Sequence, residues 1–212
     1  MNRADDLNAR AQAPGASLLE AALLVSGALH HHVCPRQVLG ARIGFFGLRQ
    51  LGLIDGYTLP LYANDDKRLH VLVETDGCGA DGISAATNAW VGRRTMRVFD
   101  YGKLAATFVD TATGQALRVA PRPASRDLAP DYAPQAASRW HAYLEGYRLV
   151  PDALLLAAEP VTLTIDLVAL ISRPGARAIC DRCGEEIMNE REQRVGERTL
   201  CRWCAGGGYY VL

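Results

Sequence analysis

Hydrophobic and polar positions change period several times along the chain, which predicts a mixture of helices and strands. The segment LLEAALLVSGAL is apolar nearly all round and has helical length, so it predicts a buried helix. Ser17 precedes this helix as its N-cap, with Glu20 three residues on as the capping-box partner. A short amphipathic helix is expected at 138–148.

Short apolar or β-branched runs predict the strands, and turn residues separate them. The runs are 69–73, 96–99, 104–109, 115–119 and 161–171. Thr113 and Gly114 join the third run to the fourth, a turn that favours a hairpin. The proline-containing segment 122–134 is typical of a loop. Strand–helix units are too few for a doubly wound sheet, so the pattern predicts an α+β fold with a mixed or antiparallel sheet packed against helices.

The segment after the first helix combines histidines with a cysteine. Proline is favoured at the first position of a helix, so Pro35 predicts a second helix with Cys34 at or near its N-cap. Unpaired N–H groups and the helix dipole favour a thiolate there. His30, His31 and His32 fall in the break between the helices, and an isolated triplet is as readily a polar loop. The pair His32 and Cys34 at a helix start favours the ligand interpretation.

Glycines of the second helix follow a regular spacing. Gly40, Gly44 and Gly47 recur at i, i+4 and i+7, which places them on one face. A face without side chains permits the backbone of a neighbouring element to approach closely. We therefore expect this helix to pack tightly against another element.

The stretch 69–103 organises the rest of the chain. A strand leads into a glycine-rich turn that carries Cys78, and a helix at about 81–91 and a second strand follow. That second strand ends in Asp-Tyr-Gly-Lys. A strand, a tight turn with a thiol and a helix form a scaffold suited to a reactive or metal-binding sulfur.

The same turn contains a pattern typical of dinucleotide-binding proteins. Gly77, Gly79 and Gly82 spell G-x-G-x-x-G between a strand and a helix. Asp76 directly precedes the first glycine, where a carboxylate would repel a pyrophosphate. We therefore interpret the glycines as serving backbone geometry, an interpretation that leaves Cys78 unexplained.

Four cysteines near the C-terminus follow the spacing of a zinc site. Cys180-x2-Cys183 and Cys201-x2-Cys204 are separated by seventeen residues, which is typical of tetrahedral zinc. Four thiolates close the coordination sphere, so the expected zinc is structural. The segment between the pairs predicts a hairpin that turns near Gly196. It is too small to bury a core of its own, so bound metal would supply its folding energy. Two redox Cys-x2-Cys pairs are the less favoured alternative.

Composition narrows the classes of partner. The chain has 212 residues, of which 49% are apolar and 22% charged, and a formal net charge of zero. That balance gives no electrostatic reason to expect nucleic acid or a membrane surface as a partner. No apolar run reaches transmembrane length and no signal-peptide core is visible, so we expect a cytoplasmic protein. Its six cysteines are then expected to be metal ligands or reactive thiols rather than disulfides.

Turn-forming and polar segments divide the chain. We expect a mobile N-terminal arm at 1–16, an α+β core domain with the His/Cys site at 17–172, and a four-cysteine zinc finger at 175–212. The boundary between the last two is predicted by Ser-Arg-Pro-Gly at 172–175.

Three motifs occur in order along the core: H-x-H-x-C-P at His30–Pro35, ETDGCGADG at Glu74–Gly82 and DYGK at Asp100–Lys103. Together with the hairpin and the four-cysteine finger, they make nearly the whole chain resemble the E-subunit family of formylmethanofuran dehydrogenase. The resemblance implies an α+β core, an appended treble-clef zinc finger and a homodimer. It also implies a setting, the operons of the molybdenum or tungsten enzyme that interconverts carbon dioxide and formylmethanofuran, but no reaction.

The resemblance also implies site residues. Three of them would line a site in the core domain: His32, Cys34 and Cys78. Four others would lie near it: His30, Asp76, Tyr101 and Lys103.

The chain departs from the family pattern at three places. His31 stands where the family has glycine between the two histidines, and Arg36 stands where it has glycine after Cys-Pro. The family often has a further cysteine in the helix after Cys78, followed by Gly-Lys-Gly-Asn; here the helix reads Thr-Asn-Ala-Trp at 87–90 and the next segment Gly-Arg-Arg-Thr at 92–95. A ligand or resolving thiol at that place would be missing from this protein.

The leading functional hypothesis is a metal-binding accessory protein of C1 or molybdenum/tungsten enzyme metabolism. His32, Cys34 and Cys78 would hold a second transition metal, zinc by preference, with a fourth position open to water or a ligand. Tyr101 and Lys103 would be proton donors or anion anchors beside it. Whether the protein is an enzyme is left open by the sequence.

Two further hypotheses belong to other classes. A thiol redox or sulfur-transfer enzyme would use Cys34 as nucleophile and Cys78 as resolving partner. An interaction module would use the finger, whose arginines are largely offset by glutamates; this balance favours a protein partner or the dimer mate over nucleic acid.

Overall fold

The computed structural model describes residues 17–56 and 60–211. The predicted N-terminal arm at 1–16 lies outside the described residues. The chain divides into two compact units, Met1–Thr162 and Leu163–Leu212. The second unit therefore starts before the boundary that the sequence predicts at 172–175.

The first unit holds the helices and the larger sheet. Its helices are α1 (Leu18–His30), α2 (Pro35–Gln50), α3 (Cys78–Thr87), α4 (Ser125–Leu128), α5 (Arg139–Leu149) and α6 (Asp152–Leu155), with a 3-10 turn at Ala129–Tyr132. Its strands are β1 (Leu69–Val73), β2 (Met96–Val98), β3 (Ala106–Asp110), β4 (Ala116–Pro121) and β5 (Leu156–Pro160).

The five strands form one sheet in the order β2-β1-β3-β4-β5. β1 pairs with β2 in parallel, and the remaining neighbours are antiparallel. Every residue of β1 and of β3 is buried, so these two strands form the centre of the core. The mixed sheet packed with helices confirms the predicted α+β class. The turn between β3 and β4 carries Gly114 at φ +75°, as the hairpin prediction requires.

Both predicted helix starts are confirmed. The Ser17 hydroxyl accepts a hydrogen bond from the backbone N–H of Glu20 at 3.2 Å. Cys34 is the N-cap of α2, with Pro35 as the first helical residue. These two caps fix where α1 and α2 begin and leave a short connection between them.

Helices α2 and α3 approach each other through glycines, as the spacing predicts. A Cβ atom at Gly40 would collide with the backbone of Gly79, and one at Gly82 would collide with the backbone oxygen of Gln37. A Cβ at Gly44 would lie 2.7 Å from that of Ala86. The glycines of the G-x-G-x-x-G pattern that lie within α3 therefore serve helix packing, and this close contact brings the N-termini of α2 and α3 together.

Three local predictions are wrong. The helix after the turn begins at Cys78 itself and ends at Thr87, because Gly77 is its N-cap and Asn88, in left-handed conformation, ends it. The loop expected at 122–134 contains α4 and the 3-10 turn. The strand expected at 161–171 is replaced by helix α7 (Leu167–Ile171), since the Asp166 carboxylate accepts from the N–H of Ala169 at 3.0 Å and caps it.

The second unit contains α7 and two small hairpins. Its strands are β6 (Arg177–Ile179), β7 (Glu186–Met188), β8 (Gln193–Val195) and β9 (Arg198–Leu200), followed by a helical turn at Trp203–Gly207. β6 pairs with β7 and β8 with β9, both antiparallel. Gly196 has φ +61° between β8 and β9, which confirms the predicted turn. Within the described residues, no helix combines the length and apolar character needed to cross a bilayer.

Candidate functional site

The four C-terminal cysteines converge on one point of the second unit. Their sulfur atoms all lie within 4.8 Å of one another: Cys180, Cys183, Cys201 and Cys204. Cys180 and Cys204 are buried, Cys201 is half-buried and Cys183 is exposed. Such a group of sulfurs matches the ligand set of a tetrahedral zinc ion.

The backbone holds the first pair in a tight turn. Gly184, at φ +75°, lets its N–H return to the carbonyl oxygen of Cys180 at 2.9 Å. The second pair lies at the start of the helical turn, where the N–H of Cys204 donates to the Cys201 sulfur at 3.4 Å. A knuckle, a hairpin and a helical turn in this order agree with the predicted treble-clef zinc finger.

The electrostatics of the sulfurs favour a cation. Backbone N–H groups of Cys183 and Cys201 donate toward the Cys180 sulfur and lower the pKa of that thiol to about 6. Burial and the three neighbouring thiols raise the pKa of Cys204 to about 12. Four negative sulfurs cannot share this space without a compensating charge, which Zn²⁺ supplies. The donor set fits a structural zinc ion.

The finger buries little apolar surface of its own. Its buried cluster consists of Ile187 and Leu200 together with two of the cysteines, Cys180 and Cys204. A core this small cannot offset the conformational entropy of the unit, so metal binding has to contribute to its folding.

The core domain places two cysteines at neighbouring helix ends. Cys34 is the N-cap of α2 and Cys78 is the first residue of α3, and both are half-buried. Burial raises the pKa of the Cys78 thiol, and the neighbouring Cys34 thiol raises it further. Two sulfurs that are 44 positions apart in the sequence thus come close enough to influence each other.

A buried glutamine, which the sequence interpretation missed, anchors Cys34. The side-chain oxygen of Gln37 accepts from the N–H of Cys34 at 2.7 Å. Its amide nitrogen donates to the hydroxyl of Ser26 on α1 at 2.8 Å and to the backbone oxygen of Ser26 at 3.2 Å. The glutamine three residues after an N-cap was the signal that could have revealed it, because that spacing is the capping-box pattern.

The histidines of the connection between α1 and α2 have different environments. His30 is half-buried, and its Nε2 lies 2.6 Å from Oδ2 of Asp81 on α3. His32 is exposed, and its Nδ1 lies 2.9 Å from the backbone oxygen of His30. His31 is exposed and adopts φ +62° at the C-cap of α1, a conformation that favours glycine.

The remaining predicted residues lie near the Cys78 turn but are exposed. The N–H groups of Tyr101 and Lys103 donate to the backbone oxygen of Glu74 at 3.0 Å each, which ties the Asp-Tyr-Gly-Lys loop to the end of β1. The Tyr101 side chain is 66% exposed, and those of Lys103 and Asp76 are exposed as well. The Glu74 carboxylate accepts twice from Arg118, at 2.6 and 2.7 Å, and fixes this strand end.

The core residues do not form as tight a group as the finger cysteines. Across 17–56 and 60–211, the four finger cysteines are the one group of three or more potential ligands whose donor atoms all lie within 4.8 Å of one another. The structure therefore brings Cys34 and Cys78 together and leaves His32 further out on an exposed connection. Two thiols and an imidazole nonetheless have the chemistry of a zinc, iron or copper ligand set.

The fold and the cysteine cluster define a class of protein, an α+β domain followed by a four-cysteine zinc finger. Residues 29–153 match the family model of FmdE, described by the molybdenum formylmethanofuran dehydrogenase operon, and residues 175–210 match the prokaryotic dksA/traR C4-type zinc finger. The first match covers more than half of the chain. The chain belongs to the FmdE family.

Two known proteins are similar to this chain. An FmdE-like protein of the tungsten formylmethanofuran dehydrogenase from Syntrophus aciditrophicus has a crystal structure that aligns with a TM-score of 0.58 at 21% identity, over 91% of this chain and 95% of that one. At this identity the likeness concerns the fold. A probable S-adenosyl-L-methionine-binding protein from Archaeoglobus fulgidus is 29% identical over 103 residues, 49% of this chain. The chain spans only 27% of the length of that relative.

Proposed function

We propose that this chain is a metal-binding accessory protein with two metal centres of different purpose. The four-cysteine finger holds a structural zinc ion. The core site, built from His32, Cys34 and Cys78, holds a second transition metal, and zinc suits its imidazole and thiolate donors. The single observation that carries the core proposal is the meeting of Cys34 and Cys78 at the N-termini of two tightly packed helices.

The core ligands divide the work between helix ends and a connection. Cys34 and Cys78 supply thiolates that unpaired N–H groups and helix dipoles stabilise. His32 supplies an imidazole nitrogen from the short connection, which is exposed and therefore has room to reorient. A fourth position is left for water, a small ligand or the neighbouring His30. When bound, a metal there would polarise a ligand, and Tyr101 and Lys103 would offer a proton donor and a positive charge at the exposed rim.

We also propose the setting of this protein. Membership of the FmdE family supports a role beside a molybdenum- or tungsten-dependent formylmethanofuran dehydrogenase, that is, in C1 metabolism. There it would act as a homodimer in the cytoplasm, where thiols remain reduced. The core site would deliver or hold a ligand for a protein partner rather than carry out a complete reaction alone.

Metal analysis of the purified full-length protein tests the two centres. We expect two metal ions per chain by mass spectrometry of the elements, and one in the double variant Cys34→Ala/Cys78→Ala. The finger double variant Cys180→Ser/Cys204→Ser is the matched control and should lose the other ion. A wild type with one metal ion that persists in Cys34→Ala/Cys78→Ala would remove the core centre from the proposal.

A second candidate function is thiol redox or sulfur transfer by Cys34 and Cys78. The observation that favours it is the mutual influence of the two thiols, since a nucleophile needs a resolving partner within reach. Rapid alkylation of Cys34 at neutral pH in metal-free buffer, slowed by oxidation of the pair, would support this function. Protection of both thiols by a tightly bound metal would argue against it.

A further inference from the structure

His30 and His32 each commit one ring nitrogen to a group that can only accept a hydrogen bond. Nε2 of His30 lies 2.6 Å from the Asp81 carboxylate, and Nδ1 of His32 lies 2.9 Å from the backbone oxygen of His30. An ionised carboxylate and a carbonyl oxygen have lone pairs but no proton to donate. The protons therefore reside on Nε2 of His30 and on Nδ1 of His32, an assignment made from the hydrogen-bond partners.

The two rings consequently offer opposite nitrogens. In the neutral form, the lone pair of His30 is on Nδ1 and that of His32 is on Nε2. Metal-binding histidines usually donate their other N–H to a carboxylate or to a backbone carbonyl, which fixes the tautomer and the orientation of the ring. His30 and His32 have these two kinds of partner, one each.

Asp81 links this arrangement to the thiols. It lies in the first turn of α3, three residues after Cys78, and its negative charge contributes to the raised pKa of that thiol. Its partner His30 is the last residue of α1, 51 positions earlier in the sequence. The side chains of His30 and Asp81 are 29% and 35% exposed, so the pair is sheltered but remains accessible from solvent.

We infer that Asp81 is a positioning residue of the core site, and that it prepares His30 as the fourth donor beside His32, Cys34 and Cys78. It does so by accepting the proton-bearing Nε2 and keeping Nδ1 as the nitrogen with the free lone pair. The donor role of His30 rests on the proposed function of the core site. The effect of Asp81 on the ring is a property of the metal-free protein and is independent of that proposal.

Nitrogen-15 spectra of the histidine rings in the metal-free, full-length protein test the positioning role. We expect His30 in the neutral form with its proton on Nε2, and a mixture of tautomers in Asp81→Ala. Asp81→Asn should restore the wild-type spectrum, because the amide oxygen still accepts from Nε2. Asp76→Ala is the matched control, since it removes an exposed carboxylate from the same turn and should leave the His30 signals unchanged. An unaltered His30 spectrum in Asp81→Ala overturns the inference, even if that variant is less stable.

Competition for zinc between the protein and a chromophoric chelator tests the donor role. We expect zinc affinity of the core site to fall about 10- to 100-fold in Asp81→Ala, while the finger zinc is retained and Asp81→Asn stays near wild type. Equal affinities in Asp81→Ala and wild type overturn the donor role. A wild-type core that takes up no zinc overturns both the proposed function and the donor role, and the ring spectra still decide whether Asp81 sets the tautomer.

Discussion

The two cysteine sites of this chain are assembled in opposite ways. In the finger, four ligands from a 25-residue segment, Cys180 to Cys204, converge through a knuckle and a helical turn. In the core, Cys34 and Cys78 come from separate helices and meet because glycines allow α2 and α3 to touch. The finger therefore depends on its metal for structure, whereas the core site depends on the fold for its geometry. This difference can be tested by disturbing each dependence in turn.

The largest effect is expected when the finger loses its zinc. Removal of zinc by a strong chelator, or Cys180→Ser/Cys204→Ser, should unfold the segment 177–207, because structural zinc contributes about 10–16 kcal/mol in comparable small domains. Amide spectra and limited proteolysis should show the loss of the two hairpins while the first unit keeps its signals. A finger that stays protected from protease without zinc would contradict the dependence of its fold on metal.

The core site should be most sensitive to the contact between its helices. Gly82→Ala introduces a Cβ against the backbone of α2 and is expected to destabilise the first unit by roughly 1–3 kcal/mol, the usual range for overpacking. Urea unfolding measures this change, and metal analysis should show loss of the core metal before that of the finger.

Gly92→Ala is the matched control for that substitution. No atom lies within 4 Å of a Cβ built at Gly92, and its φ is outside the left-handed region. It should therefore leave both stability and metal content close to wild type. Equal destabilisation by the two substitutions would show that the helix contact is not what positions the thiols.

Acid should separate the two units, because the first unit is held partly by a buried carboxylate. The Arg68 guanidinium, at 2.7 Å from each oxygen, lowers the pKa of Asp110 from 3.8 to about 2. A lowered folded-state pKa contributes stability that is complete above pH 4 and is lost as pH falls toward 2, about 2 kcal/mol for this shift.

The pH dependence of the free energy of unfolding checks this contribution. Between pH 5 and pH 2, the first unit of the wild type should lose that stability, whereas Asp110→Asn should start lower and vary less with pH. The finger, whose thiolates take up protons when zinc is released, should unfold at a higher pH than the first unit. Identical pH profiles for wild type and Asp110→Asn would contradict the role assigned to this ion pair.

The smallest effect concerns the connection that carries the histidines. His31→Gly should stabilise the first unit by about 0.5–1 kcal/mol, because glycine adopts φ +62° at a helix C-cap without the steric penalty of a side chain. His31→Ala keeps that penalty and serves as the control. Urea unfolding at neutral pH compares the three proteins, and no gain in His31→Gly would show that this turn is not strained.

Local rules predicted the caps and the glycine face, and long-range pairing escaped them. Cys34 was identifiable as an N-cap because proline at the next position fixes the start of a helix. The family glycine replaced by His31 marks a left-handed position, and Arg94, which replaces a glycine of Gly-Lys-Gly-Asn, likewise has φ +65°. The bond between His30 and Asp81 could not be predicted, because no spacing rule relates residues on helices α1 and α3. Helix α7 was mistaken for a strand since its apolar run is too short to show a period.

The uneven burial of the finger cysteines gives its zinc site a vulnerable side. Cys183 is exposed while Cys180 and Cys204 are buried, so an oxidant or a chelating agent reaches one sulfur before the others. Disassembly would then start at the knuckle and pass through a species held by three sulfurs. Under oxidative stress, the tail of this protein would release its ion first, and the order of release would be set by side-chain exposure rather than by bond strength.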